Sequence, residues 1–590
     1  MKKQKTRDKE TGKKKTKDRK SKTKKDGKVS RLFAIFKGQG FLTGAVTLAA
    51  AGIICRLLGI AFRIPLANIV QNYGMGLYQM VFPIYALLLI ISSAGIPVAI
   101  SRMVAASQSK QNDNDIDISK ATKKKKVTDG DDYTPTQILV NALILLGVIG
   151  LVVSGVFIGI AFPIARLQGN IGIGKIYMAI APAVFFVCLI AAFRGYFQGL
   201  RNMIPTATSQ IVEQVVKVGV GLTLAIVLFP LGVYWAVFGA ILAVTTSEAL
   251  GFAYLVIFYL IHKKRLKKTT NHEGFLMQNK KPASKRQITV PVTNKKSHFK
   301  KYISWKLMWL IVKKSLPITL MASVFPLILV FDSLVVVRML TNADTSVKIA
   351  TQLYGISSGT VHTLINMPAV LGMAIGTAVV PMTASLLKKG NTAEFQSKST
   401  LAIKLAVIIT LFFALFYMVF ARQIILLLYE AAFRDNQAQL VIATNLLKIE
   451  SAMILLMGLS QIFTSMLQGA GKAKWPLFAI LVGGIVKIAF QMALIRTSMG
   501  IYAVSIGNVL CFAIAFILNI FFVWKFLGLQ LRFTWNMVKI IGVGLGLGGL
   551  LVGLMFLLPE GKWWVILSGV IALLSYVAAV WGLRVFQKSR

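Results

Sequence analysis

The sequence predicts an all-α polytopic membrane protein of about fourteen transmembrane helices, built as two six-helix lobes in parallel repeat plus two C-terminal helices. Three observations carry that reading. Of 590 residues, 56% are apolar and only 15% are charged, and the mean hydropathy is +0.69. Soluble domains carry about 25% charged residues, so this chain has too little polar surface to cover a soluble fold. Apolar runs near the length that crosses a bilayer recur from residue 40 to the C-terminus. Finally, two polar-flanked segments far apart in the chain match each other.

Taken in order, the expected spans lie near 40–63, 78–102, 137–162, 176–197, 205–229, 233–261, 315–340, 354–386, 400–420, 439–468, 476–496, 501–524, 536–558 and 563–584. The first is no cleavable leader, because a long hydrophilic tail precedes it and no short core with an A-x-A site follows. Tail 1–38, spans 39–262, basic linker 263–308, spans 309–528 and the terminal pair 529–590 form the expected organisation.

The net charge of +47 is concentrated outside the spans. Residues 1–38 hold 17 Lys/Arg against four acids, and 263–306 holds 14 against one. Placing the N-terminus in the cytoplasm also puts Lys123–Lys126, Lys388-Lys389, Lys472 with Lys474, and the Lys588–Arg590 tail inside, as the positive-inside rule requires. Both termini are then cytoplasmic, facing an anionic inner leaflet. No aromatic-interleaved basic motif accompanies the runs, so nucleic acid is not the expected partner. Tail 1–30 and much of 107–134 and 267–298 read as disordered. Tyr302–Lys314, with Trp305 and Trp309 among lysines, reads either as an interfacial helix or as a plain basic linker.

The repeat is specific. Gln198-Gly199 and Gln468-Gly469 stand 270 residues apart, as do Lys217 and Lys487, and Pro205 and Pro476 differ by 271. Both copies follow an outside-to-inside span, so the duplication is parallel. Two such lobes with substrate between them is a transporter plan. The copies differ where Glu213 meets Gly483 and Arg194 meets Thr464.

Cys55-Arg56-Leu-Leu-Gly59-Ile-Ala-Phe-Arg63, then Tyr73-Gly-Met-Gly-Leu-Tyr78-Gln79, then Ser93-Ala-Gly-Ile-Pro97-Val-Ala-Ile-Ser101-Arg102, resemble the opening of the MurJ / stage V sporulation protein B branch of the MATE-like (MOP) exporter superfamily. Phe193–Val218, FRGYFQGLRNMIPTATSQIVEQVVKV, is the most family-specific stretch, and Ile449-Glu450-Ser451 with Gln468-Gly469 adds to it. The resemblance covers roughly 38–586. It implies a fourteen-helix flippase that moves a polyprenyl-pyrophosphate-linked cell-wall saccharide outward, with span-one arginines at the pyrophosphate and the lipid tail along the last two spans. The family's Gram-negative members carry a further arginine in span two, where this chain has Ile90-Ile91-Ser92-Ser93.

Charge inside a span is expensive, so each such residue is a functional candidate. Arg56 and Arg63 lie seven apart on one helix stripe, and planar guanidinium forks suit phosphate oxygens; the alternative for Arg63 is snorkelling beside Pro65. Glu213 and Lys217, four apart in favoured order, are expected either to neutralise each other or to form a switch. Asp332 and Arg338, six apart, face different ways: Asp332 suits ion coupling or a span-one arginine, whereas Arg338 suits an interfacial anchor. Glu248, Glu450 and Lys487 complete the candidates for coupling or gating. His362 titrates near neutral pH in water, although a packing histidine is commoner. Gly95-Ile-Pro97, Pro317, Pro326, Pro368 and Pro381 allow bending, and membranes also tolerate them for packing alone.

Gly544–Gly549 spells G-x-G-x-x-G inside an expected span with no strand before it, so it reads as helix packing rather than as a dinucleotide site. Cys55, Cys188 and Cys511 offer neither a disulfide framework nor metal spacing. With no nucleotide motif, catalytic cluster or cofactor signature, the chain reads as a non-enzyme driven by a Na+ or H+ gradient or by membrane potential. The rival readings are a cation-coupled multidrug antiporter, which needs an acidic aromatic cavity, and a membrane transferase, which needs clustered Asp or His in cytoplasmic loops. Oligomeric state is open in the sequence, and a monomer suffices.

Overall fold

The computed structural model describes residues 41–93, 95–114, 133–278, 303–341, 345–529, 535–557, 559 and 561–583. The basic tail and most of the stretches expected to be disordered lie outside the described residues. Those described are helical with no strand among them. A bilayer dictates this, because lipid offers no partner to a free backbone N–H or C=O.

The helices are α1 (Phe41–Ser93), α2 (Ile96–Asn114), α3 (Pro135–Gly159), the short α4 (Ala161–Leu167), α5 (Gly174–Gly199), α6 (Ile204–Leu228) and α7 (Val233–Gln278), then α8 (Trp305–Leu340), α9 (Val347–Tyr354), α10 (His362–Lys388), α11 (Thr392–Val419), α12 (Ala421–Phe433), α13 (Gln437–Gly469), α14 (Lys474–Leu494), α15 (Tyr502–Leu527), α16 (Trp535–Leu557) and α17 (Lys562–Gly582). A π-helical turn, Gly355–Val361, joins α9 to α10. Polar residues start several helices. Thr134 forms a capping box with Gln137 ahead of α3, and Ser304, Asn391 and Asn436 accept the first free N–H groups of α8, α11 and α13.

Twelve runs among the described residues are long and apolar enough to cross a membrane. The expected count of about fourteen differs for two local reasons. The first two spans merge into one run, Thr47–Gln108, broken at Gln71 where φ is 55° and ψ −172°. The thirteenth is a shorter apolar helix, Gly542–Leu557, next to residues outside the described set. The break expected at Gly95-Pro97 is present between α1 and α2, whereas the prolines of α8 and α10 lie inside continuous helices. Helix α7 runs past the expected lobe boundary at 262 as far as Gln278.

Tyr302–Lys314 resolves the same way. From Trp305 onward it is the first part of α8 itself, with Leu307 and Ile311 buried and Trp305 and Trp309 82% and 67% exposed. One face is buried and the other exposed, so this stretch is helix rather than a plain linker.

One end of the contact between the halves is sealed. A Cβ on Gly76 would meet the Thr351 carbonyl oxygen at 2.0 Å, and one on Gly355 would meet the Asn72 oxygen at 2.2 Å, so only glycine fits either place. Asn68 donates to the Leu428 carbonyl at 2.7 Å, and Asn72 donates to Ala432 at 3.1 Å and to Gln439 at 2.8 Å. Gln168 donates at 2.9 and 2.8 Å to the carbonyls of Met80 and Ser333. The seal forms around the Gln71 break, drawing on α1, α4, α8, α9, α12 and α13.

Candidate functional site

Away from the seal, the two repeats enclose a chamber made of two cavities that share Arg63. The cavity farther from the seal, about 300 Å³, is lined by Arg56, Arg63, Lys217 and Gln214 from α1 and α6, and by Thr363, Asn366 and Met373 from α10. It has three cations and no carboxylate on its wall. The second, about 230 Å³, places Arg63, Gln79 and Phe82 opposite Asp332, Ser357, His362 and Asn508. The π-helical turn supplies its serines, in keeping with the frequent placement of such turns at functional sites.

The helical period of α1 turns both arginines to this space. Arg56 is exposed, and its guanidinium touches the Met373 sulfur across the interface. Arg63 stands over the Phe82 ring, 5.4 Å from its centroid. Neither forms an ion pair among the described residues. Lys217 directs its ammonium at Phe62, 5.9 Å from the ring centroid.

Two expected pairings are corrected. Glu213 does not pair with Lys217. It accepts from Arg194 of α5 at 2.6 and 2.7 Å, and Ser209 accepts from the same guanidinium at 3.1 and 3.2 Å. A neighbouring span delivers a guanidinium whose Nη2 donates to both carboxylate oxygens while its Nε reaches Ser209, so one side chain bridges the acid and a hydroxyl. Asp332 does not meet a span-one arginine. It pairs with Lys487 of α14 at 2.5 Å, both side chains being nearly inaccessible. Sequence separation, 155 residues, hid this partner.

The other candidates scatter. Glu248 accepts from the Tyr85 hydroxyl at 3.1 Å inside the first repeat. Glu450 is fully buried and accepts from Ser505 at 2.7 Å and Asn508 at 3.1 Å, while its second oxygen has no hydrogen-bond partner among the described residues. Arg338 is exposed in the last turn of α8, where a cation suits the helix C-terminus. His362 lines the chamber beside Asp332. Among the described residues no group of three or more His, Cys, Asp or Glu could hold a metal. Arg194 and Thr363 were missed. Arg194 had a signal, since it lies in the family-specific stretch and is replaced by Thr464 in the other repeat, whereas Thr363 had none.

The family model described as polysaccharide biosynthesis protein matches residues 41–387, more than half of the chain. The chain belongs to the polysaccharide biosynthesis protein family. A second model, MatE, matches residues 317–493 of this family member. It is 26% identical over 497 residues to stage V sporulation protein B of Bacillus subtilis, covering 84% of this chain and 85% of that one. To the lipid II flippase MurJ of the same organism it is 22% identical, covering 77% of each. A solved structure of the lipid II flippase MurJ in an inward closed conformation superposes with a TM-score of 0.59 at 14% identity, over 90% of this chain and 98% of that one. This polysaccharide biosynthesis protein is therefore a multi-pass membrane protein, similar along most of its length to stage V sporulation protein B and to the lipid II flippase MurJ.

Proposed function

We propose that the chain moves a polyprenyl-pyrophosphate-linked saccharide, a lipid II-like cell-wall precursor, outward across the cytoplasmic membrane by alternating access. The observation that carries this is the chamber wall on which Arg56 and Arg63 stand without a carboxylate partner. A guanidinium left unpaired at membrane depth is costly, and a diphosphate repays it. The pyrophosphate sits at Arg56 and Arg63, the saccharide occupies the polar cavity beyond them, and the isoprenoid stays in lipid. The similarity of the curated relatives supports this substrate class.

With both termini cytoplasmic, the Gln71 break and the seal lie on the outer side, and the arginine cavity communicates with the cytoplasm. The lobes are 39–262 and 309–528, with 529–590 appended. Asp332, Glu213, Lys217, Glu248, Glu450, Lys487 and Arg338 are the charged groups from which a Na+- or H+-coupled or potential-driven switch is drawn. Glu450 and Asp332 lead that set, because each keeps one buried carboxylate oxygen without a hydrogen-bond partner among the described residues. The reading requires no cofactor, no catalytic residue and no second subunit. A multidrug antiporter handling cations is disfavoured by the three basic residues around the larger cavity.

The test is rescue of a bacterium depleted of its lipid II flippase. The wild-type chain is expected to restore growth, and Arg56→Ala or Arg63→Ala to abolish rescue at unchanged membrane abundance. Full rescue by both variants would remove the pyrophosphate assignment.

A further inference from the structure

Lys217 differs from its counterpart in the second repeat. The acid one turn before it is already satisfied: Glu213 holds Arg194 through both oxygens. Its counterpart in the second repeat, Lys487, is neutralised by Asp332. The same offset of 270 carries Asp332 back to Phe62, and Phe62 is the residue that Lys217 contacts. The duplication thus holds two lysines in equivalent places, one facing a carboxylate and the other an uncharged ring. Among the described residues Lys217 makes neither an ion pair nor a hydrogen bond, and it lines the cavity that holds Arg56 and Arg63. Across that cavity Thr363 is 2% exposed, and its hydroxyl has no hydrogen-bond partner among the described residues.

We propose that Lys217 is a third phosphate ligand, which with Arg56 and Arg63 makes the cavity selective for a diphosphate over a monophosphate, and that Thr363 contributes a hydroxyl from the opposite repeat. This deepens the pyrophosphate reading and rests on it. An ammonium is a compact charge with freely rotating donors, so it completes a polyanion shell that two rigid forks on one stripe of α1 leave open on the α6 side. A single phosphate is served by the two guanidinium groups, and a second phosphate reaches the lysine. Because Thr363 lies on α10, the bound diphosphate joins the two repeats and links recognition to their relative movement.

Cys55 supplies a native reporter. It lines this cavity and is partly accessible, whereas Cys188 and Cys511 are buried. In purified full-length protein, maleimide alkylation of Cys55 would be followed against polyprenyl diphosphate, polyprenyl monophosphate and inorganic pyrophosphate. Polyprenyl diphosphate is expected to protect the wild type. Lys217→Gln is expected to weaken that protection about tenfold, the usual scale of one charge-assisted contact, with the monophosphate affinity changed less than twofold. Lys217→Arg should bind the diphosphate as the wild type does, which separates charge from folding. Unchanged diphosphate protection in Lys217→Gln, with loss in Arg56→Ala and Arg63→Ala, would overturn this inference and leave the pyrophosphate reading standing. Unchanged protection in all three would overturn both. Equal loss for monophosphate and diphosphate in Lys217→Gln would remove the selectivity, and protection by inorganic pyrophosphate alone would remove the lipid-borne ligand.

Discussion

At the scale of single residues, buried charges divide by whether a partner is present. Arg194 and Glu213 complete each other, and so do Asp332 and Lys487. Removing one member of such a pair leaves an uncompensated charge and costs about 3–5 kcal/mol, whereas replacing both with apolar residues of similar size is often neutral. Arg194→Met is therefore expected to lower the thermal unfolding midpoint in detergent sharply, and Arg194→Met combined with Glu213→Met to recover most of the loss. A double variant no more stable than the single one would show that the guanidinium supports the fold by another route. The sequence disclosed which residues are charged at membrane depth, because hydropathy marks them. It disclosed their partners poorly. The i,i+4 rule favoured Lys217 for Glu213, but that rule sees only one helix, and a guanidinium on the neighbouring helix serves the carboxylate better.

At the scale of elements, the seal depends on backbones in contact. Gly76→Val places a branched side chain where the Thr351 carbonyl already lies. It is expected to hold the seal apart, with faster hydrogen exchange over residues 72–80 and 351–361 and loss of rescue in flippase-depleted cells. Unchanged exchange there would show that the two backbones separate without a cost to function. A second link joins α12 to α17, where Lys562 donates to Glu430. That hydrogen bond holds the Glu430 carboxyl below its ordinary value. A depressed carboxyl stabilises above its pKa and loses the contribution as pH falls through it. Acidification is thus expected to loosen α12 against α17, and Glu430→Gln to show the same faster exchange already at neutral pH. The pair is exposed, so added salt should weaken it as well. Span positions were legible from apolar runs of bilayer length. The merging of the first two was not, because Gln71 is an ordinary polar residue whose unusual backbone arises from tertiary packing. The seal's glycines were visible in the sequence but not distinguishable from the many that only ease helix packing.

At the scale of the molecule, the duplication explains both the likeness and the difference of the halves. Spacing of 270 residues is the sequence signal for two equivalent units and for a space between them. Which charge faced that space was not legible, because the outcome turns on one position per repeat, Phe62 in the first and Asp332 in the second. The asymmetry gives one repeat an open cationic wall and the other a closed ion pair. Under the proposed function, substrate recognition is then expected to fall to the first repeat, while the second lends polar groups to the chamber.

Helix α8 is continuous from Trp305 to Leu340, so the indoles at one end and Asp332 near the other lie on one helix about 50 Å long at 1.5 Å per residue. Indoles settle at the depth of the lipid headgroups. If the chain transports as proposed, bilayer thickness is expected to act on the Asp332–Lys487 contact through this helix, and acyl-chain length to tune the cycle. In reconstituted vesicles the rate should pass through a maximum as the chains are lengthened, and Trp305→Ala with Trp309→Ala should flatten that dependence.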